Sequence, residues 1–207
     1  MSTAAGRRRL LGLLAAGLVM PGLVRAAVSP DDQAELRAIE TYLNDLTTLE
    51  AGFIQVAPNG ELSTGRLYYE RPDKMRLEYD PPNEILIVAN DWQVVYVDRK
   101  LDQVTGLFTS QTPLGFLLAD EIRLSGDVTV DAVRRAPLEI AVTVSETDDP
   151  DQGQVTLVFE RQPITLRRWS VVDAQGLETL IVLNDIEHGR PLDDALFKLP
   201  SRRRVRD

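Results

Sequence analysis

The chain has no cysteine and a single histidine, and only 6% of its 207 residues are aromatic. Without thiols there can be no disulfide, no thiolate metal site, no cysteine nucleophile and no lipid attached through cysteine. The lone imidazole, His188, stands beside Gly189 at an expected turn and reads as a solvated side chain. Basic residues are in the minority, 23 Lys and Arg against 32 Asp and Glu. Long apolar runs are missing too, except near the start.

There, Arg7-Arg8-Arg9 is followed by an apolar run over 10–20 and then by Val24-Arg25-Ala26. This is the charged, apolar and small-residue order of a secretory signal peptide, with cleavage expected after Ala26. The run is too short for a comfortable membrane span. Arg7-Arg8-Arg9-Leu10-Leu11 also has the form of a twin-arginine signal. Removing four arginines and no acids leaves 19 basic against 32 acidic residues, a balance of −13. Such a surface disfavours nucleic acid and anionic headgroups as partners. The expectation is a cleaved leader over 1–26 and one exported, unanchored, soluble domain over 27–207, of a size usual for a single domain.

Ser29-Pro30-Asp31-Asp32 has a helix cap with Pro at the first helical position, and Leu36, Ile39, Leu43 and Leu46 recur at helical spacing. The helix is expected to end near 44–48. Beyond it nearly everything alternates with period two, the mark of half-buried strands. Leu49, Ala51 and Phe53 begin a strand that turns at Pro58-Asn59-Gly60. Residues 84–89 are apolar on both parities, as in a strand buried on both faces. An Asn-Asp turn at 90–91 leads to strands over 92–97 and 103–108. Residues 111–118 read as a capped helical turn with Pro113 at its first position, apolar nearly all round. Irregular or short helical pieces are expected through Val133. Alternation then resumes, with Leu138, Ile140, Val142 and Val144 on one face. After a loop tip at 148–153 come a strand through Val155, Leu157 and Phe159 and a hairpin of 164–172 with 177–185. A helical turn at 193–197, a last short strand and a basic tail over 201–207 close the chain. No strand-helix-strand rhythm, repeat or linker is present, so a single curved antiparallel sheet with helices on one face is expected.

Groups that do chemistry are hard to find. There is no Gly-x-Ser-x-Gly nucleophile motif and no phosphate-cradling loop. Asp148-Asp149-Pro150-Asp151 lacks the spacing of a calcium loop and reads as a solvated tip. Carboxylates are too numerous for any one pair to stand out. The residues point away from an enzyme and imply no cofactor or metal.

What remains is apolar surface. Leu67 and Tyr69, then Met75, Leu77 and Tyr79, share one strand face across an Arg-Pro-Asp turn, and Arg71 falls on that face at its rim. Downstream, Leu114, Phe116, Leu117 and Leu118 cannot share one narrow stripe. They suit either a core helix plugging a half-open sheet or a lid over a cavity, and a lidded apolar cavity suits a lipid or acyl group.

Several runs in order resemble one family. They are Phe53-Ile54-Gln55, Gly65-Arg66-Leu67-Tyr68-Tyr69-Glu70-Arg71-Pro72, Arg76-Leu77-Glu78-Tyr79, Pro82, Ile87-Val88-Ala89-Asn90-Asp91, Val94-Val95-Tyr96-Val97-Asp98 and Leu101-Asp102-Gln103-Val104. Thr112-Pro113-Leu114 with Leu117-Leu118, and Leu196-Phe197-Lys198-Leu199-Pro200, continue the series. Together they resemble the periplasmic outer-membrane lipoprotein carriers, the LolA family, over nearly the whole chain after the leader. The resemblance implies a mainly β fold: a strongly curved antiparallel sheet, an incomplete barrel, with an N-terminal helix and short lid helices over a hydrophobic cavity. It implies a periplasmic monomer that accepts acylated lipoproteins from an inner-membrane ATP-driven transporter and passes them to an outer-membrane receptor. It further implies that Arg71 latches the lid through lid backbone, and that Met75 stands where the family carries an aromatic. Cavity candidates are Phe53, Leu67, Tyr69, Met75, Leu77, Tyr79, Ile85, Ile87, Leu114, Phe116, Leu117 and Leu118. A carrier of other lipids, or an adaptor sensing lipids or lipoproteins on the same fold, are the alternative functions.

Overall fold

The computed structural model describes residues 30–200. The expected leader over 1–26 and the basic tail over 201–207 lie outside the described residues. Helix α1 (Pro30–Asp45) is followed by strands β1 (Thr48–Val56), β2 (Leu62–Glu70), β3 (Lys74–Tyr79), β4 (Ile85–Asn90), β5 (Gln93–Asp98) and β6 (Gln103–Phe108). After two short 3-10 turns come β7 (Val128–Arg135), β8 (Glu139–Glu146), β9 (Gly153–Arg161), β10 (Ile164–Asp173) and β11 (Glu178–His188).

All eleven strands form one sheet in the order β6-β5-β4-β3-β2-β1-β11-β10-β9-β8-β7, and every pairing is antiparallel. The sheet does not close, so β6 and β7 are its two free edges. The chain runs outward from β1 to β6, crosses to the opposite edge, and returns from β7 to β11 beside β1. Residues 109–127 make that crossing, so whatever their sequence they must span the open side of the sheet.

One apolar face is continuous across the sheet. Phe53, Leu67, Leu77, Val142, Leu157, Trp169 and Leu183 belong to a single buried cluster with Ile39 and Leu43 of α1 and with Leu117, Leu118, Ile122 and Leu124 of the crossing segment. The register is specified where that face is tightest. Phe53 pairs with Gly65, and Gly65 with Tyr79. A Cβ on Gly65 would lie 2.6 Å from Phe53 Cζ and 2.2 Å from the Glu78 carbonyl oxygen, so the ring occupies the space a side chain would need. The Phe53 and Tyr79 rings meet edge to face at 5.0 Å.

The two-sided burial expected of 84–89 has a physical cause. Ile85, Ile87 and Ala89 join the main cluster, while Leu86 and Val88 pack with Val95, Val97, Val104 and Leu199 on the opposite face. The C-terminal segment covers that second face. Phe197 is fully buried, Asn90 donates to its carbonyl at 3.0 Å, Arg76 donates to the Leu196 carbonyl at 3.0 Å, and Lys74 contacts Asp194 at 2.8 Å.

The mainly β, incomplete-barrel expectation is borne out, with local corrections. Residues 128–135 are strand β7 and not irregular pieces; a register shift between Val130 and Ala132 breaks the alternation that would have marked them. Leu138 precedes β8 and is 76% exposed, so it does not share the buried face of Ile140, Val142 and Val144. His188 is the last residue of β11 and not part of a turn, because the strand continues past Asp185, which sits at φ 48° where the β1 register shifts. No strand follows Phe197 among the described residues; Leu199 packs as a single side chain. The expected turn over 111–118 is two 3-10 turns, Thr109–Gln111 and Gly115–Leu118, with Pro113 between them. Gly115 is required there, since a Cβ would lie 2.2 Å from the Thr109 carbonyl oxygen.

Candidate functional site

The segment crossing the open side is held down by the β2–β3 hairpin. Four successive carbonyls of the crossing segment receive donors from that hairpin. Tyr69 Oη donates to Leu117 O at 2.5 Å, and the Asp73 amide to Leu118 O at 3.1 Å. Arg71 Nη2 donates to Ala119 O at 3.3 Å and Asp120 O at 2.6 Å. The other guanidinium nitrogen, Nη1, donates to Leu43 O at 2.9 Å and Asn44 Oδ1 at 2.8 Å, both in the last turn of α1. The Arg71 amide is itself held by Thr47 O at 2.9 Å. One side chain therefore ties sheet, helix and crossing segment together. A planar fork with several fixed N–H directions is suited to serving two elements at once.

These donors keep their protons. Burial pushes the Tyr69 phenol well above its ordinary range, more than the nearby Arg71 charge lowers it, so it stays a donor at any physiological pH. Tyr79 is pushed up to about 12, mainly by burial, and donates to Gln55 Oε1 at 2.6 Å. The Asp73 carboxyl is also raised, first by burial and then by the neighbouring carboxylates of Asp120 and Asp91. Closing the segment thus gathers like charges from three different connections.

A second set of bonds comes from α1. Asn44 Nδ2 donates to Ile122 O at 2.8 Å, the Ile122 amide donates to Asn44 Oδ1 at 2.9 Å, and the Leu124 amide donates to Glu40 Oε1 at 2.7 Å. Ile122 and Leu124 are buried, whereas Ala119 and Asp120 are exposed.

The structure distributes the twelve apolar candidates unevenly. Phe53, Leu67, Tyr69, Leu77, Tyr79, Leu117 and Leu118 are buried in the packed core, and Met75, Ile85, Ile87, Leu114 and Phe116 lie half-buried against it. Beneath the segment the interior is filled by the chain's own side chains. Open space lies at its margin: a cavity of about 970 Å³ runs from Trp92 past Phe116 and Leu118 to Val128 and Val144, with Asp73, Asp91, Glu121, Asp127 and Glu146 also on its walls. At its rim the exposed rings of Trp92 and Phe108 stack at 5.3 Å. Asn44, Glu40, Asp73 and Trp92 are absent from the sequence-based candidates. Asn44 carried only the signal of a helix end, and Trp92 that of a strand start, although it sits in the turn before β5.

Among the described residues no cluster of His, Cys, Asp or Glu could hold a metal ion, and no helix is long and apolar enough to cross a membrane. An open antiparallel sheet, an apolar face and a hydrogen-bonded strap across its open side define a half-barrel with a covered apolar interior. Residues 44–200 match the family described as outer membrane lipoprotein carrier protein LolA, and the chain belongs to that family. It is 27% identical over 176 residues to the outer-membrane lipoprotein carrier protein of Pseudomonas paraeruginosa, covering 81% of this chain and 84% of that one. With the protein of the same name from Nitrosomonas europaea it shares 26% over 179 residues, covering 82% and 86%. Among solved structures, a LolA superfamily protein from Nitrosomonas europaea superposes with a TM-score of 0.45 at 13% identity, covering 81% and 97%. An uncharacterized conserved protein from Thermus thermophilus superposes with a TM-score of 0.49 at 14% identity, covering 82% and 94%.

Proposed function

We propose that this protein is a soluble periplasmic carrier that takes up the acyl chains of lipoproteins released from the inner membrane and delivers them toward the outer membrane. The observation that carries the reading is the hold of Arg71 on the Ala119 and Asp120 carbonyls over a continuous apolar face. A cationic donor on a carbonyl contributes about 1.5–3 kcal/mol, enough to keep a lid closed yet small enough for a ligand to overcome. An acyl chain removed from water gains about 0.8 kcal/mol per methylene, on the order of 10 kcal/mol for a whole chain. Lid residues Leu114, Phe116, Leu117 and Leu118 swing away, and the sheet-face residues from Phe53 to Ile87 named above then face the acyl chains. Spontaneous loss of such a chain into water is slow, so transfer is direct from donor to carrier to acceptor. The donor is an ATP-driven inner-membrane transporter and the acceptor an outer-membrane receptor. That division of labour leaves no need for a nucleotide site in this chain.

The test is mass spectrometry of material extracted from the protein purified out of its native periplasm. Acylated peptide supports the carrier of lipoproteins. Free lipid alone overturns it in favour of a carrier of other lipids.

A further inference from the structure

The fastening of the crossing segment divides into two parts. Residues 114–120 form a flap whose bonds to the hairpin all run through its carbonyls, while its own amides at Leu117 and Ala119 bond within the flap, to Leu114 O at 3.0 Å and Phe116 O at 3.3 Å. Residues 122–124 form a root, buried at Ile122 and Leu124 and bonded to α1 through Asn44 and Glu40. The hairpin holds the flap and the helix holds the root.

Asn44 is where the two meet. A primary amide offers two N–H donors and one carbonyl oxygen with two lone pairs. Asn44 uses all four: Oδ1 accepts from Arg71 Nη1 at 2.8 Å and from the Ile122 amide at 2.9 Å, and Nδ2 donates to Glu40 O and Ile122 O, each at 2.8 Å. The orientation is unambiguous, because a guanidinium can only donate and the atom facing it must accept. Ile122 has both its N–H and its C=O taken by one side chain, much as a strand partner would take them. Among side chains only a primary amide presents that pair while also accepting from Arg71. Glutamine carries the same amide, but its extra methylene would displace the group.

We infer that Asn44 is the positioning residue of the lid: it pins the root at Ile122 to α1 and steadies Arg71 toward the Ala119 and Asp120 carbonyls, so the lid opens by pivoting at Ile122. This rests on the reading of 114–120 as a lid that opens. Without Asn44, Arg71 Nη1 keeps only the Leu43 carbonyl, and the guanidinium is aimed at the flap by three bonds where it had four. The root then loses two bonds at once. Loss of Arg71, by contrast, loosens the flap by releasing its Ala119 and Asp120 carbonyls and leaves the root in place.

Hydrogen exchange on the full chain without cargo separates these outcomes, comparing wild type with Arg71→Leu, Asn44→Ala and Asn44→Asp. In Arg71→Leu the Leu117 and Ala119 amides exchange about tenfold faster or more, while Ile122 and Leu124 stay within about threefold of wild type. In Asn44→Ala both sets accelerate. Asn44→Asp keeps the acceptor for Arg71 and for the Ile122 amide, so it restores flap protection, whereas its second oxygen faces the Glu40 and Ile122 carbonyls that Nδ2 had served and the root stays looser than in wild type. Central amides at Val142 and Leu157 report whether the fold is intact; where Asn44→Ala disturbs them, Asn44→Asp carries the test alone. Equal acceleration of the root in Arg71→Leu and Asn44→Ala overturns the inference. So does an unchanged flap in Asn44→Ala, or a flap in Asn44→Asp as loose as in Arg71→Leu. Because no cargo is present, this result stands or falls separately from the lipid found by extraction.

Discussion

The Tyr69 hydroxyl donates to the Leu117 carbonyl at 2.5 Å, from the middle of the sheet's apolar face to the crossing segment 48 residues further along. A residue that counts as core by burial is also a fastener of the crossing segment. Replacing Tyr69 with Phe keeps the ring and removes the donor, leaving a buried carbonyl without its partner. The cost is about 1–3 kcal/mol. Chemical denaturation of Tyr69→Phe is expected to show that loss, with faster exchange at the Leu117 amide; unchanged stability and exchange would remove the bond from any part in closure.

Arg71→Leu removes four side-chain hydrogen bonds and the charge. On the proposed carrier function, the closed crossing segment competes with cargo for the same interior, so loss of Arg71 weakens the competitor. Loaded Arg71→Leu is expected to hand lipoprotein to acceptor membranes about tenfold more slowly than wild type, the equivalent of one charged hydrogen bond. Equal transfer rates in the two proteins would show that the latch does not govern release.

Asp73 has its carboxyl raised by burial and by the facing carboxylates of Asp120 and Asp91. A folded-state pKa above the unfolded one means the folded state binds protons more readily. Its contribution is most favourable below the unfolded value and is lost as pH rises through the folded value. Asp73→Asn therefore stabilises the protein at neutral pH, and the advantage shrinks on acidification through the raised value toward the ordinary aspartate range. Asn suits the backbone there, since Asp73 sits at φ 71° and Asn tolerates that region. Thermal unfolding of both proteins across pH measures this; a gain that grows on acidification would contradict it.

Gly115→Ala places a methyl group 2.2 Å from the Thr109 carbonyl oxygen, a backbone atom that cannot swing aside as a side chain would. The two 3-10 turns must then part, at about 1–3 kcal/mol, as for other overpacked sites. Because those turns belong to the crossing segment, the loss is expected chiefly as faster exchange over 114–120, with β8 and β9 amides unaffected. Equal loosening throughout the sheet would place Gly115 in the general fold.

Much of this fold follows from local pattern. Alternation at Met75, Leu77 and Tyr79, two-sided burial over 84–89 and helical spacing at Leu36, Ile39 and Leu43 each reflect a period of the backbone, which neighbouring residues record by themselves. Where the backbone leaves its period, at the β7 bulge and at Asp185, the pattern fails and so does the reading. The family, too, was legible, because its order of short runs survives without contacts being known.

The sequence by itself determined the elements, the apolar face, the poverty of reactive groups and the oddity of Arg71 at the rim. Tertiary structure alone decided that 109–127 must cross between the free edges, that Arg71 serves helix and crossing segment together, that Asn44 closes the circuit, and that open space lies beside that segment and not beneath it. The reason is physical. Those relations join residues 27 to 78 positions apart, and only the strand order of the sheet brings them within hydrogen-bonding distance.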